Sequence, residues 1–228
     1  MKYELLLFDA DGTLFDFEKC EANALRNTLN SFNISSTNDD LPALFKQVNH
    51  KIWDEFEEKL ITADELKVER FRRYFELIKV DTNPGEFSDQ YLMNLSKGTY
   101  LLPGAYSLLE SIHPNFKIVI VTNGLTSVQK PRFQNSDIHS FVDSYVISEE
   151  FGIPKPGGEI FEYALSTVDH KEKSSTLMIG DKLTSDIKGG RDFGVDTCWY
   201  NPQLQTNSSD IKPDYEIKSL SEVEQIIL

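Results

Sequence analysis

The chain has 228 residues, of which 39% are hydrophobic and 11% aromatic, enough apolar material for a substantial core and too much for a disordered chain. Its 37 Asp and Glu outnumber its 23 Lys and Arg, and the net charge of −14 disfavours nonspecific binding to nucleic acid or to anionic membranes. Because the sequence shows neither a bilayer-spanning apolar run nor a signal-peptide pattern, we expect a cytoplasmic protein.

The first predicted element is a short buried strand that ends on two acids. Leu5 to Phe8 are consecutive apolar residues, a pattern typical of a parallel-sheet strand that is covered on both faces. Asp9 and Asp11 follow it and should point to the same side, at the carboxyl end where open α/β sheets bind ligands. Acids after a strand also serve as helix caps or turn formers, so this pair alone decides little.

The next stretch, from residue 16 to residue 96, has helical periodicity and no strand pattern. Four amphipathic helices are expected there, the third starting at a capping box formed by Thr62 to Glu65. They predict a helical bundle inserted into an α/β domain, with a cap at 16–96 and a core at 1–15 and 97–228.

Two features of the predicted cap bear on ligand binding. Trp53, Phe56 and Tyr74 could form a base-stacking surface, but aromatic residues at helical spacing more often belong to a bundle core, which we favour for most of them. The loop at Ile61 and Thr62 joins the second and third helices. We expect this loop to lie over the cleft and to contact the leaving group.

Strands and helices alternate through the rest of the chain and predict a doubly wound parallel sheet. Pro131 is expected in or near the first turn of a helix that Ser127 caps, because proline breaks a helix interior. A later helix is expected from Thr184 to Phe193. The predicted strands are Ile118 to Val121, Tyr145 to Ile147, Thr176 to Ile179, Thr197 to Tyr200, and Tyr215 to Ile217.

Polar residues follow these strands at the same edge of the predicted sheet. Each has a simpler interpretation as a turn former, a helix acid or a solvated loop charge. The two cysteines, Cys20 and Cys198, fit no metal or disulfide framework, and we expect free thiols. The polar positions are Thr122-Asn123-Gly124, Lys155-Pro156 in a Gly- and Pro-rich loop, Gly180-Asp181, and Asp186.

In this order, these positions and Asp9-Ala10-Asp11-Gly12-Thr13 resemble the motifs of the haloacid dehalogenase superfamily, and the resemblance covers nearly the whole chain. It implies a Rossmann-like core with a helical cap of the superfamily's first type. Dehalogenases of this superfamily lack the second acid of the first motif. Asp11 therefore argues for phosphate rather than halide chemistry.

The motifs also imply a divalent cation. A carboxylate and a phosphate about 4 Å apart repel each other by roughly 4 kcal/mol at an effective dielectric constant of ~20. Asp9, Asp11 and Asp181 offer hard oxygen ligands without His or thiolate company, which suits Mg²⁺, with Mn²⁺ as a substitute.

The resemblance and the residue chemistry assign a role to each predicted site residue. Asp9 would attack phosphorus to form an aspartyl-phosphate, and Asp11 would protonate the leaving oxygen and then deprotonate water. Thr122 and the Asn123 amide would hold phosphate oxygens, while Lys155 neutralises developing charge. Asp186 would orient Lys155 or a metal-bound water.

A narrower resemblance points to the bacterial pyrimidine 5′-nucleotidases, which act on nucleoside monophosphates such as dUMP, UMP and dTMP. It rests on residues 121–127, 147–156 and 197–199 and departs from the usual pattern at Pro156-Gly157-Gly158, where the polar residues are absent. A sugar-phosphate phosphatase or phosphomutase stays open, because these enzymes share the motifs and the cap type. A phosphorylatable receiver domain is a more distant alternative, since receivers are shorter and uncapped.

Overall fold

The computed structural model describes residues 2–34, 41–58 and 60–228. Within these residues, six strands form one parallel sheet in the order β3-β2-β1-β4-β5-β6. The first strand of the chain therefore lies inside the sheet, between β2 and β4. The strands are β1 (Leu5–Phe8), β2 (Lys117–Thr122), β3 (Ser144–Ile147), β4 (Thr176–Gly180), β5 (Asp196–Tyr200) and β6 (Tyr215–Ile217).

Both faces of the sheet are covered, as the apolar run of β1 predicts. Leu5 and Leu7 pack into one hydrophobic cluster, whereas Leu6 and Phe8 pack into another on the opposite face. The doubly wound α/β fold is thereby confirmed. The helices of this half are α5 (Ala105–Ile112), α6 (Thr126–Asn135), α7 (Ser148–Phe151), α8 (Gly158–Ser166), α9 (Lys188–Phe193) and α10 (Val223–Ile227).

Helices α1 to α4, which we call the cap helices, lie between β1 and α5 in the chain. Their own hydrophobic cluster is rich in aromatic rings, with Phe45 stacked on Phe71 at a centroid distance of 5.3 Å. The predicted capping box of α3 is confirmed, because Thr62 and Glu65 exchange both hydrogen bonds. The domain bounds at 16–96 stay a prediction. The cap helices are α1 (Phe17–Ser31), α2 (Leu41–Glu57), α3 (Ala63–Ile78) and α4 (Pro84–Leu95).

The predicted start of α6 is wrong. The helix begins at Thr126, whose backbone N–H donates to the Glu149 carboxylate at 2.7 Å, so Ser127 is not the cap. Pro131 consequently lies in the helix interior rather than in the first turn. The cap of this helix comes from a different element and could not be identified by local spacing.

The helix predicted from Thr184 to Phe193 is α-helical only from Lys188 onwards. A π-helical turn spans Leu183–Ile187 and precedes α9, with the Ile187 N–H donating to the Lys182 carbonyl oxygen at 3.3 Å. Such wide turns are often found at functional sites, and this one carries Asp186.

Two further predictions concern the thiols and the membrane. Cys20 and Cys198 are both free and buried, which confirms the expectation of two free thiols. In the described part of the chain, no helix combines the length and the apolar character needed to cross a bilayer.

Candidate active site

The predicted site residues meet at the carboxyl edge of the sheet. Asp9 follows β1 directly, and its N–H extends the ladder by donating to the Ile179 carbonyl oxygen at 2.9 Å. Thr122 ends β2 and Asp181 follows β4, on either side of β1. Strand order therefore brings residues that are far apart in sequence to one cleft.

Lys155 links several members of this group. Its side chain is buried, and its Nζ donates to Asp9 Oδ1 at 2.6 Å and to the Val121 carbonyl oxygen at 2.6 Å. It also pairs with Asp186 Oδ1 at 2.7 Å. Burial alone would lower the pKa of Lys155, but the Asp186 and Asp9 carboxylates outweigh it and raise that pKa. The ammonium group is therefore charged at neutral pH.

Asn123 positions the loop that carries Lys155. Asn123 Nδ2 donates to the Lys155 carbonyl oxygen at 2.9 Å, and the Lys155 N–H donates to Asn123 Oδ1 at 2.8 Å. This reciprocal pair joins the end of β2 to the loop before α8. The Asn123 side chain thus has a structural role that the sequence did not indicate, while the role of its amide on phosphate stays a prediction.

Three carboxylates in the cleft form a candidate metal centre. Oxygens of Asp9, Asp181 and Asp186 lie within 4.8 Å of one another. Burial raises the pKa of Asp9 well above its usual value, and the repulsion of Asp186 and Asp181 adds to this, while Lys155 opposes it. Desolvation, followed by the Asp186 charge, raises the pKa of Asp181 to about 7, although its side chain is exposed at the cleft. Such crowding of hard oxygen ligands fits Mg²⁺.

Asp11 does not belong to this group of carboxylates. Its Oδ1 accepts a hydrogen bond from Arg132 Nη1 at 2.7 Å, and its Oδ2 accepts one from Gln129 Nε2 at 2.5 Å. The predicted ligand set of Asp9, Asp11 and Asp181 thus differs in one member from the cluster that the fold assembles, in which Asp186 takes that position. A side-chain bond from Asp11 to the cation would compete with two existing hydrogen bonds.

Gln129 and Arg132 are site residues that the sequence analysis missed. Both are almost fully buried, and Arg132 also donates from Nε to the Gly98 carbonyl oxygen at 2.9 Å. Their spacing of three residues places them on one face of α6, which was the available signal. Arg132 joins Asp11 to the segment where the chain returns from the cap helices.

Two glycines permit the close approach of the acids. Gly12 has a φ of +88°, and a Cβ atom there would lie 2.6 Å from Asp181 Oδ2. A Cβ at Gly180 would lie 2.3 Å from Asp186 Oδ2. Any larger residue at either position would displace a carboxylate of the candidate metal centre.

A cavity of about 380 Å³ lies above the acids, within the size range of ligand sites. Phe17, His50, Trp53 and Arg70 line it from the cap helices. Tyr74 is buried in the cap cluster, so of the three candidate stacking residues Trp53 is the one that reaches the cavity.

Ile61 and Thr62 are not among the described residues that line this cavity, so contact of their loop with the leaving group stays a prediction. The cap side of the cavity wall consists of side chains from α1, α2, α3 and α4.

The chain belongs to the haloacid dehalogenase-like hydrolases, whose family model matches residues 3–194. It is 37% identical to YfnB of Bacillus subtilis (strain 168), named as a HAD-hydrolase, over 99% of this chain and 96% of that protein. It is 34% identical to the pyrimidine 5′-nucleotidase YjjG of Escherichia coli (strain K12), covering 100% and 99% of the two chains. It is 33% identical to the pyrimidine 5′-nucleotidase PynA of Streptococcus pneumoniae (strain ATCC BAA-255 / R6), covering 98% and 94%.

The solved structures agree with this assignment. A crystal structure of Bacillus subtilis YfnB bound to magnesium superposes with a TM-score of 0.93 at 36% identity, covering 100% of this chain and 99% of that one. The predicted superfamily and its fold are thereby confirmed.

Proposed function

We propose that this protein is a Mg²⁺-dependent phosphomonoesterase that dephosphorylates pyrimidine nucleoside 5′-monophosphates through an aspartyl-phosphate. The observation that carries the proposal is Lys155 Nζ, held 2.6 Å from Asp9 Oδ1 and 2.7 Å from Asp186 Oδ1 at the centre of the strand edge. An ammonium paired with a buried carboxylate in a cleft suits a nucleophile that must attack an anionic ester.

Asp9 is the nucleophile of the proposed reaction. Its carboxylate oxygen forms a bond to phosphorus as the bond from phosphorus to the nucleoside oxygen breaks. Lys155 neutralises charge on the transferring group, and the Thr122 hydroxyl at the end of β2 holds one of its oxygens. A water molecule then attacks phosphorus, releases inorganic phosphate and regenerates Asp9.

Asp11 is the proton carrier. It donates a proton to the departing nucleoside oxygen and takes one from the attacking water in the second step. Gln129 and Arg132 donate to its two oxygens and so fix the orientation of this carboxyl group in the cavity wall. Asp186, which pairs with Lys155, fixes the ammonium group against Asp9.

Mg²⁺ fits the carboxylates of Asp9, Asp181 and Asp186, because their oxygens are close together and, among the residues that the structure describes, no His or Cys joins the cluster. When bound, it neutralises the repulsion between these acids and the phosphate. Mn²⁺ should substitute, since it prefers the same oxygen ligands.

The pyrimidine preference is supported by the two nucleotidases, YjjG and PynA, which match nearly the full length of the chain. The cavity adds support, since apolar and aromatic side chains make up most of its cap side. A sugar-phosphate phosphatase would share the acids of the core but would not need such a lining.

A phosphate-release screen over dUMP, dTMP, dAMP and ribose 5-phosphate, with Mg²⁺ and with excess EDTA, tests this proposal. We expect dUMP or dTMP to give the highest kcat/KM and EDTA to abolish activity. Preference for ribose 5-phosphate over every nucleotide would reject the nucleotidase, and full activity in EDTA would reject the metal.

Replacing the nucleophile provides the second test. Asp9→Asn should lower kcat on dUMP by at least about a thousandfold, because the amide cannot form the covalent intermediate. The variant should keep its fold, which circular dichroism would check. A loss of less than tenfold would rule out covalent catalysis by Asp9.

A further inference from the structure

One guanidinium group lies in the cap side of the cavity wall, away from the catalytic acids. Arg70 of α3 is only 1% exposed, yet it lines the same cavity as Asp9. Its Nη1 makes a long hydrogen bond of 3.4 Å to Asn49 Oδ1, and its Nε and Nη2 have no hydrogen-bond partner among the described residues. Leaving such buried donors unsatisfied costs about 1–3 kcal/mol.

Aromatic rings fix the position of this group. The Arg70 Cζ atom lies 5.0 Å from the centroid of the Phe71 ring and 4.9 Å from that of Tyr91. Both rings belong to the cap cluster. Cation–π contacts with these two rings hold the guanidinium in place.

The charge of Arg70 already has a counterpart. Asn49 Nδ2 donates to Glu21 Oε1 at 2.6 Å, and Asn49 Oδ1 accepts from Arg70. A carboxylate only accepts and a guanidinium only donates, so the orientation of the Asn49 amide between them is determined. With the buried Glu21 close by, an incoming ligand needs to supply an acceptor oxygen rather than a second full negative charge.

The surroundings in the cavity favour a flat ring. Phe17, Trp53, Leu92 and Leu95 line the same cavity as Arg70. A hydroxyl-rich sugar would leave its polar groups unpaired against these side chains, whereas a heteroaromatic base can pack against them. A pyrimidine base also carries the carbonyl acceptor that the free donors of Arg70 require.

We propose that Arg70 is a specificity-determining residue that donates to a carbonyl oxygen of the pyrimidine base while the 5′-phosphate lies at Asp9. This inference rests on the proposed function and deepens it. A phosphate ester without a base gains nothing from Arg70, and the pairing is a property of the leaving group rather than of phosphoryl transfer.

The test compares dUMP with 2-deoxyribose 5-phosphate, which has the same phosphate and sugar but no base. Arg70→Met should lower kcat/KM on dUMP by about 10- to 100-fold, the range expected for a lost hydrogen bond to a charged donor. It should change kcat/KM on 2-deoxyribose 5-phosphate by less than threefold. Arg72→Met on the same helix is the matched control, because Arg72 is exposed and pairs with Glu69 and Glu76. It should change neither value.

The possible outcomes separate this inference from the proposed function. If Arg70→Met lowers kcat/KM equally on both substrates, or does not lower it on dUMP, the role of Arg70 is overturned while the enzyme remains a nucleotidase. A greater decrease in kcat/KM on phosphoglycolate than on dUMP would also overturn this role, because Arg70 would then bind the carboxylate of the leaving group. A wild type that does not hydrolyse dUMP would instead reject the proposed function itself. If Arg70→Met fails to fold, Arg70→Lys provides the comparison, with the same selective loss expected on dUMP.

Discussion

Lys155 sets the charge balance among the side chains of the cleft. Burial raises the pKa of Asp9, and the adjacent Lys155 ammonium opposes this shift. A carboxylate that must act as a nucleophile needs to be ionised, and an ion pair at 2.6 Å favours the charged form. In the proposed reaction, Lys155 would therefore act on Asp9 before substrate arrives and on the transferring phosphoryl group afterwards.

A first residue-level prediction concerns Asp11 as the proton donor. Asp11→Asn should lower kcat/KM on dUMP by about a hundredfold or more, because a nucleoside alkoxide is a poor leaving group without protonation. The decrease in kcat/KM on p-nitrophenyl phosphate should be below tenfold, since p-nitrophenolate leaves without a proton. Equal losses on the two substrates would show that Asp11 acts through binding or structure instead.

The sequence predicted some of these residues and missed others for a physical reason. Asp9 and Asp181 directly follow predicted strands, so sheet topology alone brings them together. Lys155 lies in a loop beyond α7, and its position depends on the hydrogen bonds with Asn123. Arg132 and Gln129 lie in a helix of mixed polarity, and their partner Asp11 is more than a hundred residues away. Contacts of this kind depend on how the helix packs, which local periodicity does not give.

At the scale of elements, the caps of α3 and α6 show which contacts the sequence predicts and which it misses. The capping box of α3 was predictable because its two residues are three positions apart. The cap of α6 is supplied by Glu149, which belongs to the helix after the next strand. Glu149 Oε1 also pairs with Lys67 of α3 at 2.9 Å, so this carboxylate joins the core to a cap helix.

Removing this carboxylate should destabilise the protein. Glu149→Ala should lower the free energy of unfolding by about 1 kcal/mol, the usual cost of a lost helix cap, as measured by urea denaturation. The neighbouring Glu150→Ala is the control, because Glu150 is exposed and pairs with Lys130 at the surface. It should change the free energy of unfolding by less than about 0.5 kcal/mol. Equal effects of the two substitutions would contradict the capping role.

At the scale of the whole molecule, the cavity has the core acids on one side and side chains of the cap helices on the other. In the proposed reaction, the first side would bind the phosphate and the second the leaving group. The core acids are fixed by a sheet that is buried on both faces. The cap side is built from helix faces that carry Phe17, Trp53 and Arg70. The parallel sheet and the inserted helices follow from the sequence pattern, but which helix face meets the cleft depends on packing across the two halves.

The acids of the cleft should make Mg²⁺ binding and stability depend on pH. The folded-state pKa of Asp181 is raised to about 7, so the folded protein retains a proton that the unfolded chain releases above its ordinary pKa near 4. Stability from this group is therefore lost as the pH rises towards about 7, and a cation restores it there. We expect Mg²⁺ to raise Tm more at pH 8 than at pH 5.5, and Asp181→Asn to reduce the difference. A larger increase in Tm by Mg²⁺ at pH 5.5 than at pH 8 would contradict this prediction.

The most direct test of the account is to locate the phosphoryl group on the enzyme. Asp11→Asn should transfer the phosphoryl group from p-nitrophenyl phosphate and then hydrolyse the intermediate slowly, because the water-activating carboxylate is gone. Rapid acid quenching, proteolysis and mass spectrometry should find phosphate on the peptide that contains Asp9. In the double variant that also carries Asp9→Asn, no peptide should be phosphorylated. Phosphate on another residue, or release of p-nitrophenol over many turnovers with no phosphorylated enzyme, would contradict nucleophilic catalysis by Asp9.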